Sequence, residues 1–233
     1  MIITINPYRL VASGGGGTIS DNTALDAKIV SHWKFDGNGN DAKASNNMTV
    51  TGASYTSAFL NDGIDCDGIN DKAEAAVSGQ STTFVSMWAR YNSNPPNKDT
   101  LLQCGGVAGS KVWLRVQYTT SGSQLKFQYG PIVGSFTTIN TGFNPLASTD
   151  YHFVFVIEDS GVVELWVNGV KEFNSTISGT PDPTNGTIAL AYDPANTSDY
   201  SDVLIDEVTL GNAVPTPTEV AFLYNSGTPL PYN

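Results

Sequence analysis

Oxygen-bearing side chains dominate the chemistry this sequence offers. Asp36, Asn38, Asn40 and Asp41 crowd one stretch, and Asp62, Asp65, Asp67, Asn70 and Asp71 crowd a second. Carboxylate and amide oxygens are the ligands that a hard cation such as Ca²⁺ takes. The same side chains also cap turns by accepting hydrogen bonds from nearby backbone amides, and both readings stay open. The first stretch has neither the spacing nor the twelfth-position Glu of an EF-hand. His32 and His152 lie inside apolar runs and are not spaced as a metal-binding pair, so zinc is not expected. No Ser/His/Asp arrangement for nucleophilic attack emerges. Cys66 and Cys104, the two cysteines, sit in short apolar stretches without metal-type spacing. They read as buried thiols, with a single disulfide as the alternative.

Composition narrows the partners. Eleven Lys and Arg against 22 Asp and Glu give a net charge of −11. Phosphate backbones repel such a chain and no basic run occurs, so nucleic acid is not expected as a partner. Charged residues make up 14% of the chain, against roughly 25% in a typical globular protein. The polar surface must therefore come from Ser, Thr, Asn and Gly, a mixture that suits short strands and tight turns. No stretch approaches the roughly 18 apolar residues of a membrane span. The opening MIITINPYRL lacks the basic and apolar regions of a signal peptide, so a place outside a cell would be reached by another route, such as release within a virus particle.

The elements that must position these groups are strands. Apolar or β-branched runs recur at 29–35, 84–90, 111–118, 124–129, 151–157, 162–167, 187–191 and 203–210, with weaker ones at 48–50, 64–66, 100–103 and 136–140. Turn clusters such as Asp36-Gly37-Asn38-Gly39-Asn40 and Asn94-Pro95-Pro96-Asn97 separate them, as in a sandwich or barrel. Asp159-Ser160-Gly161 reads as one hairpin turn, and Asn168-Gly169 as a type I′ turn that returns the chain through 170–173. Pro215-Thr216-Pro217-Thr218 starts a helical turn over 219–224.

Residues 1–25 look different. A β-prone run leads to Ser13-Gly14-Gly15-Gly16-Gly17, which reads as a flexible hinge. Ile2, Ile3, Ile5 and Tyr8 are then the groups that would dock on a particle or a neighbouring subunit. The expected organisation is an arm and linker over 1–25, one domain over 26–226 and a tail over 227–233.

Five segments, in order, resemble the laminin-G-like, concanavalin A-like jelly-roll superfamily. They are His32-Trp33-Lys34-Phe35-Asp36-Gly37-Asn38; the 59–68 segment ending in Asp67-Gly68; Thr83-Phe84-Val85-Ser86-Met87-Trp88; Tyr151-His152-Phe153-Val154-Phe155 followed by Leu165-Trp166-Val167-Asn168-Gly169-Val170; and Ile205-Asp206-Glu207-Val208 with the turn at 219–225. The resemblance runs from about residue 27 to residue 226 and implies an all-β fold, a two-sheet antiparallel jelly-roll sandwich. It implies less about function, because such folds host lectins, glycan hydrolases, receptor modules and virion appendages.

A hydrolase on this fold would resemble the retaining glucanases, which set two carboxylates about 5–5.5 Å apart in a Glu-x-Asp-x-Glu strand. No such triplet occurs. The acidic segment from Asp202 to Glu207 has the wrong spacing and Glu158-Asp159 lies at a turn, so no catalytic role is expected. The resemblance also places Asp206 near the opening strand, where with Asp36, Asn38 and Asp41 it would ligate a structural Ca²⁺. Family lectins offer a concave sheet and rim loops to sugars, and Trp113, Tyr118, Tyr129, Trp166, Tyr192 and Tyr200 are the rings that would stack on pyranose faces, with Asn94, Asn196 and Asp199 in nearby loops. Trp33 and Trp88 read as core. The expectation is a non-catalytic surface or appendage protein of a bacteriophage-like virion (decoration, spike or tail). It would be held to capsid or tail proteins by its arm, would carry a glycan-binding, lectin-like domain, and would be compatible with a symmetric homo-oligomer. The alternative is a free extracellular carbohydrate-binding module.

Overall fold

The computed structural model describes residues 17–78, 82–96, 98–105, 112–132, 135–177, 186–194 and 196–233. Ile2, Ile3, Ile5, Tyr8 and the first three glycines of the hinge lie outside the described residues. In chain order the strands are β1 (Ile29–Trp33), β2 (Thr49–Thr51), β3 (Ser54–Ser57), β4 (Asp62–Asp67), β5 (Lys72–Ala76), β6 (Thr83–Tyr91), β7 (Thr100–Gly105), β8 (Val112–Thr119) and β9 (Gln124–Ile132). They continue with β10 (Ser135–Asn140), β11 (Tyr151–Ile157), β12 (Val162–Val167), β13 (Val170–Thr176), β14 (Thr187–Leu190), β15 (Tyr192–Asp193), β16 (Asn196–Tyr200) and β17 (Asp202–Gly211).

Two antiparallel sheets face each other. One runs β13-β12-β11-β6-β17-β4-β3, with β1 also paired to β17; the other runs β10-β9-β8-β7-β14-β5-β2. This is the jelly-roll sandwich that the sequence predicts. Between the sheets lies one large core that includes Trp33, Phe35, Met87, Leu102, Leu114, Phe127, Phe153, Phe155 and Ile205. Side chains alternate across a strand, so a strand covered on both faces must be apolar at consecutive positions. β11 is buried at every position: Phe153, Phe155 and Ile157 join the inter-sheet core, while Val154 and Val156 point the other way into a second cluster.

That second cluster seals the outer face of the β11-containing sheet over β6, β11 and β12. Phe84, Val154, Val156 and Trp166 from the strands pack against Ile19, Leu25, Val220, Leu223 and Tyr232. The covering residues come from a short 3₁₀ turn (Ile19–Asp21), α1 (Thr23–Asp26), α2 (Pro217–Tyr224) and the C-terminal segment. The Ile19 amide donates to the Pro231 carbonyl (2.8 Å), tying the two ends of the cap together. The folded unit therefore includes the segment from Ile19 onward and the C-terminal segment up to Tyr232. This corrects the arm boundary placed at residue 25 and the tail placed at 227. Ile19, Leu25, Leu230 and Tyr232 are isolated apolar residues in polar stretches, and no periodicity announces where they pack.

The outer face of the other sheet is polar. Register carries one row of neighbouring residues across all seven strands: Thr49, Glu74, Ala189, Gln103, Arg115, Gln128 and Thr138.

Candidate functional site

The aromatic residues expected to stack on sugars are mostly built into the protein. Trp113 is fully buried in the inter-sheet core. The pairing of β8 with β9 shifts between Val112 and Arg115, and across that irregularity both Trp113 and Leu114 turn inward, against the alternation that would have put one of them outside. Tyr118 and Tyr129 also belong to the core. Trp166 lies under the cap, with its indole N–H donating to Glu164 (2.8 Å) and the Lys171 ammonium over its ring (4.7 Å). Tyr192 has Tyr200 stacked on it (5.7 Å) and Lys72 over its ring (4.6 Å). Of the six, Tyr200 alone is more than marginally exposed.

The polar row of the seven-stranded sheet is likewise occupied. Arg115 donates to Gln103 (2.7 Å) and Gln128 (3.3 Å) and pairs with Asp193 of β15 (3.0 Å). β15 pairs with β16, where Asp199 sits.

The side chains of the first oxygen-rich loop accept hydrogen bonds from backbone amides. Asp41 Oδ1 accepts the amides of His32 (3.0 Å) and Lys43 (2.9 Å), and Oδ2 accepts that of Asn46 (3.2 Å). Asn38 Oδ1 accepts the Asn40 amide (2.9 Å) and Asp36 Oδ1 that of Asp62 (3.3 Å). Asp206 accepts three amides, from Phe59, Leu60 and Glu207. Burial pushes its carboxyl up to about 8 against those bonds. Among the described residues, no three His, Cys, Asp or Glu side chains gather in a way that could hold a metal ion. In this structure the carboxylate and amide oxygens of Asp36, Asn38, Asp41 and Asp206 accept backbone amides.

The second oxygen-rich stretch makes a different object. Alternation on β4 points Ile64 and Cys66 into the core and Asp65 and Asp67 outward. Register sets Ser54 opposite Asp65 and Asp202 opposite Asp67. With Gly52, Asp71 and Asn92 these residues line an open cleft of about 330 Å³. Its carboxylates are fixed by donors. Asn92 Nδ2 donates to Asp65 (2.8 Å) and Asp202 (3.0 Å), and Ser93 Oγ donates to Asp202 (2.6 Å). Asp67 Oδ1 accepts the Ile69 amide (2.8 Å), and Asp71 Oδ2 accepts the Asp67 amide (3.0 Å). Gly52 has φ +81°, and a Cβ there would meet Asp71 Oδ1 at 2.0 Å, so the wall needs glycine.

Negative charge accumulates in the cleft. Burial pushes the Cys66 thiol well up, and the charges of Asp71, Asp65, Asp67 and Asp202 push it further. Burial also raises the Asp71 carboxyl. Cys66 and Cys104 are free and buried, which removes the disulfide alternative. Each carboxylate has spare lone pairs after its internal bonds, so the cleft can accept several hydroxyl or ammonium donors at once. Sequence reading singled out Asp65, Asp67 and Asp71 only as candidate cation ligands or turn caps, and did not connect them with Asn92, Ser93 or Asp202. Their juxtaposition depends on strands β4, β6 and β17 lying side by side, which no local pattern reports.

A family model described as the concanavalin A-like lectin/glucanases superfamily matches residues 67–221. No curated protein sequence matches the chain. Among solved structures, domain 4 of AbnA, a GH43 extracellular arabinanase from Geobacillus stearothermophilus in complex with arabinotriose, is 20% identical with a TM-score of 0.67, over 84% of this chain and 98% of that one. The Trypanosoma rangeli sialidase is 18% identical (TM-score 0.66) over 85% of this chain and 32% of the enzyme. A botulinum neurotoxin type C structure, whose cell entry depends on two ganglioside molecules, is 13% identical (TM-score 0.68) over 88% of this chain and 52% of the toxin chain. The chain thus spans about a third of the sialidase and half of the toxin chain, and at these identities the likeness is one of fold. Sheet order and the sequence match over more than half its length make this chain a member of the concanavalin A-like lectin/glucanases superfamily.

Proposed function

We propose that this protein is a non-catalytic carbohydrate-binding domain that takes neutral or amino sugars in the Asp65–Asp67–Asp71–Asp202 cleft. The observation that carries the reading is an open cleft whose carboxylates are already oriented by Asn92, Ser93 and backbone amides. A volume near 330 Å³ lies at the lower end of small-molecule sites, which suits one or two sugar rings. Sugar hydroxyls donate well to carboxylates, and hydrogen bonds to a charged group contribute about 1.5–3 kcal/mol each. Ile69, 72% exposed on the loop beside Asp67, offers an apolar contact. Sialylated and sulfated glycans would meet like charge in the cleft and a net charge of −11 overall, so the favoured class is uncharged or cationic. The binding of arabinotriose by an AbnA domain and of gangliosides by a neurotoxin supports a binding role for this sandwich.

The wider setting in this reading is the surface of a bacteriophage-like virion, with Ile2, Ile3, Ile5 and Tyr8 attaching the domain to capsid or tail proteins. Its support is the Gly14–Gly17 spacer and the Ser/Thr/Asn-rich, charge-poor composition. A glycan array read with Ca²⁺ and with EDTA tests the binding role. Retention of neutral or amino-sugar glycans in both conditions is expected. Loss in EDTA would bring back a bridging cation, and binding confined to sialosides would overturn the substrate class. Asp67→Asn should then weaken binding about tenfold, from one lost charged hydrogen bond, without moving the melting temperature.

A further inference from the structure

Between the sheet and its cap, two short chains of hydrogen bonds each stop one partner short. In the first, Glu207 Oε2 meets His32 Nε2 (2.8 Å) and His32 Nδ1 meets Thr209 Oγ1 (2.8 Å). In the second, Ser86 Oγ meets His152 Nε2 (2.8 Å). Glu207 Oε1 and His152 Nδ1 are buried without a partner, on residues 4% and 1% exposed. An unmet buried polar atom costs about 1–3 kcal/mol, and native interiors rarely leave two side by side.

Both residues line the same small cavity. Ser86 and Thr209, cross-strand neighbours, line it too, and Ile19, Leu223 and Leu230 close it from the cap. Its volume is about 10 Å³, the size that admits one water molecule and nothing larger.

We propose that this cavity is a built site for one internal water molecule, which donates one hydrogen to Glu207 Oε1 and the other to His152 Nδ1. The hydrogens then run in one consistent direction. Glu207 Oε2–H donates to His32 Nε2, His32 Nδ1–H donates to Thr209 Oγ1, and the Thr209 hydroxyl donates to the water oxygen. His152 Nε2–H donates to Ser86 Oγ, which leaves Nδ1 as an acceptor. The water makes three bonds, the usual number for a buried one. Burial holds both imidazoles neutral, pushing them down to about 3, and pushes Glu207 up to about 8, which is the protonation this direction needs. The water also sits where β17 is irregular. Glu207 has φ +49°, and pairing with β6 shifts between Asp206 and Thr209. Strain of this kind persists only where surrounding bonds over-determine it, and the water-closed network supplies them.

A high-resolution crystal structure of the full chain tests this directly. Density for one water within hydrogen-bonding distance of Glu207 Oε1, His152 Nδ1 and Thr209 Oγ1 is expected. An empty cavity, or Glu207 and His152 bonded directly, would overturn the proposal. Deuteron magnetic relaxation dispersion counts long-lived internal waters in solution, and Thr209→Val should remove one. A count unchanged from the wild type would also overturn it.

Discussion

A carboxyl group taken out of water keeps its proton unless the protein supplies compensating charge. Burial pushes Asp206 and Glu207 up to about 8 and Asp99 up to about 7, from about 4 in an unfolded chain. Between those limits the folded state binds more protons than the unfolded one, so these groups make stability fall as pH rises from about 4 to about 8. His32 and His152 act oppositely. Burial lowers both to about 3, from about 6.5 unfolded, so they make stability rise with pH between about 3 and 6.5. The two sets offset each other below about 6.5, and above it the carboxyls act alone. Melting temperature should therefore fall between mildly acidic pH and pH 8, and Glu207→Gln should flatten that decline. A melting temperature that climbs across the same interval would refute the assignment. A steric prediction stands at the same scale. A Cβ at Gly211 would lie 1.8 Å from the Phe84 ring, and Phe84 is fully buried. Gly211→Ala should destabilise by about 3 kcal/mol or more through overpacking, read from the denaturant midpoint.

α2 closes the cap over the β11-containing sheet, and its first turn is specified by side chains. Thr216 accepts the Glu219 amide (3.2 Å) while Glu219 accepts the Thr216 amide (2.6 Å), the reciprocal pair of a capping box, with Pro217 inside the first turn. Lys28 adds a bond to Glu219 (2.7 Å), joining the helix to the segment before β1. Thr216→Ala should cost about 1 kcal/mol, visible as a lower denaturant midpoint with the slope unchanged. Elements with such local signatures were legible in the sequence: α2, the β11–β12–β13 meander with its Asn168-Gly169 turn, and the apolar strands β6 and β8. Ser54–Ser57 and Lys72–Ala76 were not, because β3 and β5 are short, polar and held by neighbours rather than by their own pattern. The site was legible in halves. Asp65, Asp67 and Asp71 stand out as oxygen-rich, but only pairing with β17 brings Asp202 to them. The aromatic expectations failed where a bulge broke alternation at Trp113 and where the cap covered Trp166.

At the scale of the whole molecule, both ends of the folded chain seal the outer face of the β11-containing sheet over β6, β11 and β12, while the acidic cleft opens where β17, β4 and β3 carry that same sheet to its edge. The sealing makes a sharp prediction about the N-terminal segment. Ile19 and Leu25 are buried in the cap, and each fully buried aliphatic side chain contributes about 1.5–3 kcal/mol. Removing residues 1–16 leaves Ile19 and Leu25 in the chain, so the truncated domain should melt within a degree or so of the full chain. If those residues attach the domain to a particle, the truncation should also abolish incorporation without loss of folding. Removing residues 1–25 forfeits both side chains, about 3–6 kcal/mol from a domain whose total stability is of the order of 5–15 kcal/mol. That variant should melt far lower and bind an apolar dye where Phe84, Val154 and Trp166 become uncovered. Equal melting temperatures for the two truncations, measured by calorimetry, would mean that the cap does not stabilise the sandwich.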